Sequence, residues 1–222
     1  YGEYALAVRL SPATLDSRFF QDLRGRAPEA ARRLIAESIS QLEDELRRNP
    51  SPVVKGKLGK FYLEVNATDA ASAMLKQAAA ELPSLSRPWY NLGTIYEAQG
   101  DDKAARDCYE KALFLDRGDF TSWRRLGNYY DRRENVPGAA RAYTRAVDSW
   151  MGMRSEHAGR ALHVYRARSL INDDVVPNGY LAYCSPSIDA AEICRRLAKL
   201  YEEMGDLGLS SYYEDVGHSL KP

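Results

Sequence analysis

WYNLGTIYEAQGDDKAARDCYEKA, residues 89–112, decides the fold, because its pattern returns 34 positions further along the chain. The residues that recur in register, without a gap, are Trp89, Leu92, Gly93, Tyr96, Ala105, Tyr109 and Ala112, which return as Trp123, Leu126, Gly127, Tyr130, Ala139, Tyr143 and Ala146. A fixed period of this kind is typical of stacked repeat units, since one unit cannot bury its apolar face alone.

Each repeat reads as a pair of short helices. Over residues 89–96 the large apolar side chains fall at i, i+3 and i+7, which places them on one side of a helix. We predict helices over 86–99 and 102–115, each about 14 residues long, the usual length of a short globular helix. Between them, Gly100-Asp101-Asp102 is suited to end one helix and cap the next. Val136-Pro137-Gly138 has the same role in the following repeat.

Two glycines stand in the middle of predicted helices, at Gly93 and Gly127. Glycine costs about 1 kcal/mol relative to Ala in that setting. Closer packing can offset this cost if the missing side chain lets a neighbouring helix approach. We therefore predict close helix contacts there, with Ala105 and Ala139 as the small partners in the second helix of each repeat.

The period and the W-x2-L-G-x2-Y spacing resemble the tetratricopeptide repeat, or TPR. One period upstream, Leu58, Gly59 and Tyr62 keep the frame, although Lys55 replaces the Trp and Leu75 replaces the second Tyr. The resemblance implies an all-α fold, a right-handed α-solenoid of antiparallel helix pairs with about 12 helices. It also implies binding rather than chemistry, that is, a protein–protein interaction scaffold.

The repeat frame divides the chain into one TPR-like solenoid over 1–222. The predicted segments are the end of a truncated repeat (1–12), a degenerate repeat with an insertion (13–51), three good repeats (52–85, 86–119 and 120–151), an irregular helix with a long loop (152–187) and a degenerate C-terminal repeat (188–222). Outside the good repeats we predict helices over 3–10, 14–24, 28–48 and 155–171. The loop at 172–187 is apolar enough that we expect it to pack on the repeats, with Ser187 capping the next helix.

The start of the chain at Tyr1 falls inside what reads as the second helix of a repeat. A solenoid cut at that point would expose an apolar end. We therefore infer a piece of a longer, bacterial protein, or a processed chain. This leaves a second function open: the non-catalytic TPR region of a larger enzyme, such as a bacterial polysaccharide polymerase or ligase, or a glycosyltransferase.

Composition narrows the function classes. The net charge of the 222 residues is zero, which argues against a non-specific nucleic-acid binder. No stretch approaches 18 uninterrupted apolar residues, so we expect no membrane segment. Three cysteines without a C-x2-C spacing favour free thiols in a reducing compartment, although a Cys184–Cys194 disulfide stays open. We therefore favour a cytoplasmic location, or a periplasmic or membrane-attached one if the chain belongs to a larger protein.

The residue types that carry chemistry do not assemble into a motif. The histidines, His157, His163 and His218, include no i, i+4 pair of a helical metal site. There is neither a phosphate-binding glycine loop nor a G-x-S-x-G nucleophile motif. We predict that this chain is not an enzyme and holds no cofactor and no metal. The expected partner is a protein or peptide, with self-association through exposed repeat ends as a further possibility.

In the TPR family the first helix of each repeat lines a concave groove. Carried onto this chain, the groove positions are Lys57, Lys60, Arg87, Tyr90, Asn91, Thr94, Arg124, Arg125, Asn128 and Arg132, with Glu64, Glu97 and Asp131 beside them. The set leans basic and therefore suits an acidic or C-terminal peptide segment. Asn91 and Arg125 match two positions of the chaperone-binding carboxylate clamp of some TPR proteins. Gly56, Lys60 and Thr121 do not match the others, so we do not expect that clamp.

Overall fold

The computed structural model describes residues 18–155 and 186–219. Within these ranges the chain forms ten helices and no strand, which confirms the predicted all-α class. The helices are α1 Arg18–Arg26, α2 Pro28–Arg48, α3 Pro52–Glu64, α4 Thr68–Glu81, α5 Ser86–Ala98, α6 Asp102–Leu115, α7 Phe120–Asp131, α8 Val136–Ser155, α9 Pro186–Glu203 and α10 Leu207–Ser219. The helix predicted over 3–10 lies outside the described residues, as do all but the first residue of the helix predicted over 155–171 and most of the 172–187 loop.

The chain divides into two compact units, and the boundary between them follows Leu115. Among the described residues, unit 1 contains α1 to α6, and unit 2 contains α7 to α10. The predicted division of 1–222 into successive repeats of a single solenoid stays a prediction. Each unit is described by itself below.

In unit 1 each helix packs against the next one along the chain. The turns at 65–67 and 99–101 are so short that the helices they join must run antiparallel. Phe20, Leu58 and Phe61 are buried together between α1, α2 and α3. Further apolar side chains are buried between α4, α5 and α6. Unit 1 is therefore a stack of helix pairs, with apolar layers between successive pairs.

In unit 2, α8 packs between α7 and α9, and α10 packs against α9. The buried side chains of this core include Tyr143, Val147 and Trp150 of α8, together with Leu197 and Leu200 of α9. The chain leaves α8 at Ser155 and the next described residue is Pro186, at the start of α9. Within unit 2, α9 therefore packs on α8 as the first helix of a further repeat would.

Three of the turns inside helix pairs share one local design, whereas the turn at 65–67 has a positive φ at Asn66 but no side-chain cap at Ala67. A residue with a positive φ precedes a side chain whose oxygen accepts a hydrogen bond from the first turn of the next helix. The φ angles are +79° at Gly100, 55° at Glu134 and +80° at Gly205. The capping bonds are Ala104 N–H to Asp101 Oδ1, Gly138 N–H to Asn135 Oδ1 and Leu209 N–H to Asp206 Oδ1, each 3.0 Å. The predicted stop and cap at Gly100-Asp101 is confirmed. In the following repeat the prediction for Val136-Pro137-Gly138 was displaced: Glu134 has the positive φ, Asn135 supplies the cap, and Val136 already begins α8.

The close contacts predicted at the mid-helix glycines are confirmed. A Cβ atom added to Gly93 would lie 2.5 Å from Cε1 of Tyr109, and one added to Gly127 would lie 2.3 Å from Cε1 of Tyr143. The nearest atoms therefore belong to tyrosine rings of the second helix. Ala105 and Ala139 are buried in the same helices, and their role as small partners of the glycines stays a prediction.

The end of the long loop also differs from the prediction. Because α9 begins at Pro186, Ser187 lies inside that helix and is not its N-cap. Proline is well placed in a first helical turn, where its missing N–H costs no intrahelical hydrogen bond. At the other end of the predicted irregular region, α8 continues to Ser155, four residues beyond the predicted end of the third good repeat at 151.

Candidate protein-binding faces

Two first helices of repeats, α3 and α5, lie side by side in unit 1. A Cβ atom added to Gly56 of α3 would be 3.5 Å from Cγ of Pro88 of α5, an ordinary van der Waals contact. These two helices carry the first six predicted binding residues, which we call the unit 1 face: Lys57, Lys60, Arg87, Tyr90, Asn91 and Thr94. All of them are partly or largely buried, so the face is a shallow surface of restricted side chains.

The charge of Lys60 is already engaged within unit 1. Its Nζ lies 3.0 Å from Oε1 of Glu64, and the guanidinium of Arg24 donates to the other oxygen of that carboxylate at 2.5 Å. Burial alone would raise the pKa of Glu64, but the two cations outweigh it and hold this pKa below its ordinary value. Lys60 therefore belongs to an ion-pair network, which leaves it a weaker candidate for binding a ligand carboxylate.

Aromatic rings form the next portion of the unit 1 face. The guanidinium carbon of Arg87 lies 5.7 Å from the centre of the Tyr90 ring, a cation–π distance. The Tyr90 ring in turn lies 5.9 Å from that of Tyr109, which is buried. The Tyr109 hydroxyl donates to Glu97 at 2.7 Å. This chain of contacts limits the freedom of Tyr90 and places a positive charge above its ring.

Asn91 is the most unusual residue of the unit 1 face. It is only 6% exposed, and its carboxamide makes no hydrogen bond within the region of the chain that the structure describes, although its polar atoms keep contact with solvent. The Thr94 hydroxyl does donate at 2.7 Å to Asn91, but to its backbone carbonyl. The carboxamide can therefore bond to water, which a polar ligand group would replace. The carboxamide offers two donors and an acceptor, the groups that pair with a peptide backbone.

In unit 2 the predicted binding residues lie on α7 and at its C-terminal end, and are Arg124, Arg125, Asn128 and Arg132. Asn128 is partly engaged, since its Oδ1 accepts from the Tyr143 hydroxyl at 2.8 Å. Arg124 and Arg125 are half-buried, whereas Arg132 is exposed. We call these four residues the unit 2 face. It is basic, and its amide group already serves the core of unit 2.

Asp131 is held by a residue that sequence reasoning left out of the site. Arg196 of α9 donates to both carboxylate oxygens of Asp131, at 2.9 and 2.6 Å, and the pair links α7 to α9. This carboxylate raises the pKa of the Arg196 guanidinium. The repeat frame contained the signal: Arg196 stands one residue before Leu197, as Arg125 stands one residue before Leu126. The first helix of the predicted degenerate C-terminal repeat could therefore have been included among the groove positions from sequence.

The described residues offer no alternative reactive centre. Among them, no group of three His, Cys, Asp or Glu side chains could hold a metal ion. Cys108 and Cys194 are buried free thiols, and burial raises the pKa of each to about 11, so both are protonated at neutral pH. Cys184 lies outside the described residues. None of the described helices has the length and apolarity needed to cross a membrane.

Comparison with known families identifies the repeat. The tetratricopeptide repeat family model matches residues 86–119, the second good repeat, which confirms the resemblance noted in the sequence. No curated protein matches the sequence of the chain significantly. The repeat and the helical fold support a protein-interaction scaffold.

Solved structures of MamA share the fold. A crystal structure of MamA superimposes with a TM-score of 0.56 at 16% identity, covering 87% of this chain and 92% of MamA. MamA from Desulfovibrio magneticus RS-1 gives a TM-score of 0.55 at 14% identity, covering 95% of each chain. The TM-scores show a common TPR-like architecture. At identities this low, the similarity says nothing about a shared partner.

The Glu64 network leads to a prediction about stability at low pH. Because the folded-state pKa of Glu64 is lowered, its ionised form stabilises the fold above the unfolded-state pKa. That stabilisation is lost as the pH falls below about 4 and through the lower folded-state value. We expect Glu64→Gln to lower the free energy of unfolding by about 1–2 kcal/mol at neutral pH. The deficit should shrink towards zero in strong acid.

Urea unfolding of both proteins across a pH series measures this difference. Glu29→Gln is a suitable control, since the Glu29–Arg32 pair is fully on the surface and contributes little. A Glu64→Gln deficit that stays constant from neutral to strongly acidic pH would contradict the assignment of the network.

Proposed function

We propose that the chain is a non-catalytic scaffold whose unit 1 face binds an extended, carboxylate-bearing peptide segment of a partner protein. The observation that carries the proposal is the Asn91 carboxamide, which belongs to a largely buried residue, keeps contact with solvent and has no hydrogen-bond partner among the described residues. A bound peptide backbone would satisfy the donors and the acceptor that the fold leaves unused.

The residues around Asn91 favour an acidic segment. Arg87 places a guanidinium above the Tyr90 ring on the same helix, and Lys57 lies on the neighbouring helix α3. Tyr90 supplies a restrained ring against which an apolar portion of the peptide can pack. The amide would thus hold the peptide backbone, and the cations would select carboxylates. Lys60 contributes least, because Glu64 already neutralises it.

The unit 2 face is proposed as a second, separate contact for the same kind of ligand. Its three arginines, Arg124, Arg125 and Arg132, give it the same charge preference. It lacks an equivalent of the unpartnered amide, since Asn128 accepts from Tyr143. We expect the unit 2 face to add electrostatic attraction, and Arg125→Ala to weaken binding while leaving the fold intact.

The proposal predicts that Asn91→Ala weakens peptide binding at least tenfold with little effect on folding. Peptides would be selected on the whole chain from a random-peptide display library, and their affinity measured by fluorescence anisotropy at several salt concentrations. We expect acidic peptides whose affinity falls as salt rises. Asn91→Ala should weaken them at least tenfold, about 1.4 kcal/mol. The free energy of unfolding should change by less than about 1 kcal/mol, because no hydrogen bond is lost.

Asn49→Ala is the matched control, since Asn49 is an exposed asparagine of the same unit. It should leave both affinity and stability unchanged. Equal affinities for the wild-type protein and Asn91→Ala would remove Asn91 from the site. Selected peptides without acidic residues would refute the charge preference.

A further inference from the structure

The turn between α9 and α10 exposes an unusual concentration of apolar side chains. Of the six large apolar side chains exposed among the residues described, four belong to this short stretch of unit 2: Met204, Leu207, Leu209 and Tyr212. Leu207 alone is 69% exposed. Single exposed apolar residues are ordinary, whereas a cluster of them marks an interaction site. We call these four residues the α10 patch.

Packing explains why the α10 patch is uncovered. The inner side of α10 carries Ser210, Tyr213 and Gly217, all buried. Gly217 approaches α9 so closely that an added Cβ would lie 3.3 Å from Cβ of Cys194. Leu209 and Tyr212 are three residues apart and so lie on a common side of the helix, away from that contact. The patch is thus the surface of α10 that no described helix covers.

The residues around the α10 patch are mainly acidic. Between Leu200 and His218 the sequence has five carboxylates and neither lysine nor arginine, in a chain whose net charge is zero. All five carboxylates are exposed: Glu202, Glu203, Asp206, Glu214 and Asp215. Glu203 has a cation nearby, Arg196, at 3.5 Å, and Asp206 caps α10. Arg195 and Lys199 of α9 are also exposed, and Arg195 lies beside Gly217. The stretch that forms the patch nevertheless has an excess of negative charge, which would attract a cationic partner.

We propose that the α10 patch docks a cationic amphipathic helix of a partner protein. The apolar side of that helix would cover Leu207, Leu209 and Tyr212, and its Lys or Arg residues would face the surrounding carboxylates. A helix is favoured over an extended strand because α10 offers no unpaired backbone edge. A second copy of this chain is disfavoured, because a two-fold symmetric contact would bring the same carboxylates together. This surface is separate from the unit 1 face and opposite to it in charge preference.

The test uses the whole chain and a synthetic probe. The probe is a labelled peptide of leucine and lysine, with leucines at i, i+3, i+4 and i+7 so that a helix has one apolar side. Its matched control replaces every lysine with glutamate. Fluorescence anisotropy should show binding of the lysine peptide that weakens as salt rises, and no binding of the glutamate peptide.

Variants locate the binding. The double variant Leu209→Ser, Tyr212→Ser should weaken the lysine peptide at least tenfold while leaving the melting temperature unchanged, since both side chains are exposed. Phe114→Ser removes an equally apolar exposed side chain of unit 1 and should leave binding unchanged. The double variant Glu214→Gln, Asp215→Asn should reduce the salt dependence.

Three outcomes would overturn the proposal. The first is equal binding of the lysine and glutamate peptides. The second is an equal loss of binding in Phe114→Ser and in the double serine variant. The third is a wild-type dimer, seen by sedimentation, that the double serine variant dissociates, because a second copy would then be the occupant.

Discussion

Gly127→Leu is expected to lower the free energy of unfolding by about 3 kcal/mol, at the upper end of what overpacking a core usually costs. Even the first carbon of the new side chain would lie 2.3 Å from Cε1 of Tyr143, far inside van der Waals contact. The ring cannot simply move aside, because Tyr143 is buried and its hydroxyl is held by Asn128 at 2.8 Å. Urea unfolding followed by circular dichroism measures the loss.

The same chain contains a matched control at Gly56. A Cβ atom there would meet Pro88 at 3.5 Å, an ordinary contact, so Gly56→Ala removes no space that another side chain needs. We expect Gly56→Ala to be neutral or to stabilise the fold by up to about 1 kcal/mol, the usual gain in helix propensity. Equal responses at both positions would show that the close approach to Tyr143 does not limit the packing of α7 and α8.

The 34-residue period predicted the helices of the good repeats well, because the residues that recur are those that make the packing contacts between helices. In each repeat the first helix contacts the second in the same way. A small residue such as Gly127 and a large ring such as Tyr143 therefore recur together. The turn at Gly100-Asp101 was equally readable, since a positive φ and a capping carboxylate have local sequence signatures.

Other features depend on contacts between residues distant in sequence. The spacing alone could not show that the ring of Tyr109 lies nearest to Gly93, because Tyr109 and Ala105 recur with the same period. The link between Asp131 and Arg196 joins residues that lie 65 positions apart in the sequence. Only the three-dimensional arrangement reveals which of several nearby cations a carboxylate selects.

The sequence predicted which positions could line the candidate site. It could not predict in every case which of their side chains are already engaged in hydrogen bonds or ion pairs. Lys60 and Glu64 are four residues apart on a helix, so their ion pair could have been expected from sequence. The state of Asn91 could not, because a missing hydrogen bond depends on everything that surrounds the side chain. Among the predicted groove positions, the carboxamide of Asn91 is therefore the group on which our proposal depends.

Leu75→Ala is the second substitution for which we expect a large effect. Leu75 is completely buried in α4 and stands where the next two repeats have Tyr109 and Tyr143. Truncating a fully buried leucine removes its transfer free energy and leaves a cavity, which together cost about 3 kcal/mol. The loss should appear in urea unfolding as a lower midpoint with an unchanged slope.

A double-mutant cycle with Gly59 shows whether Leu75 performs the task of the tyrosines. A Cβ atom added to Gly59 would lie 2.6 Å from Cγ of Leu75, so Gly59→Ala alone should cost about 1–2 kcal/mol despite its better helix propensity. In the Leu75→Ala background the new methyl group enters space that the leucine has left. Gly59→Ala should then be neutral or stabilising, with a coupling of about 1–2 kcal/mol between the two sites. Strict additivity would mean that the helices move apart to admit either change. In that case Gly59 would not set the distance between α3 and α4. The pairing of a small residue in the first helix with a large one in the second would then apply only where the large residue is an aromatic ring.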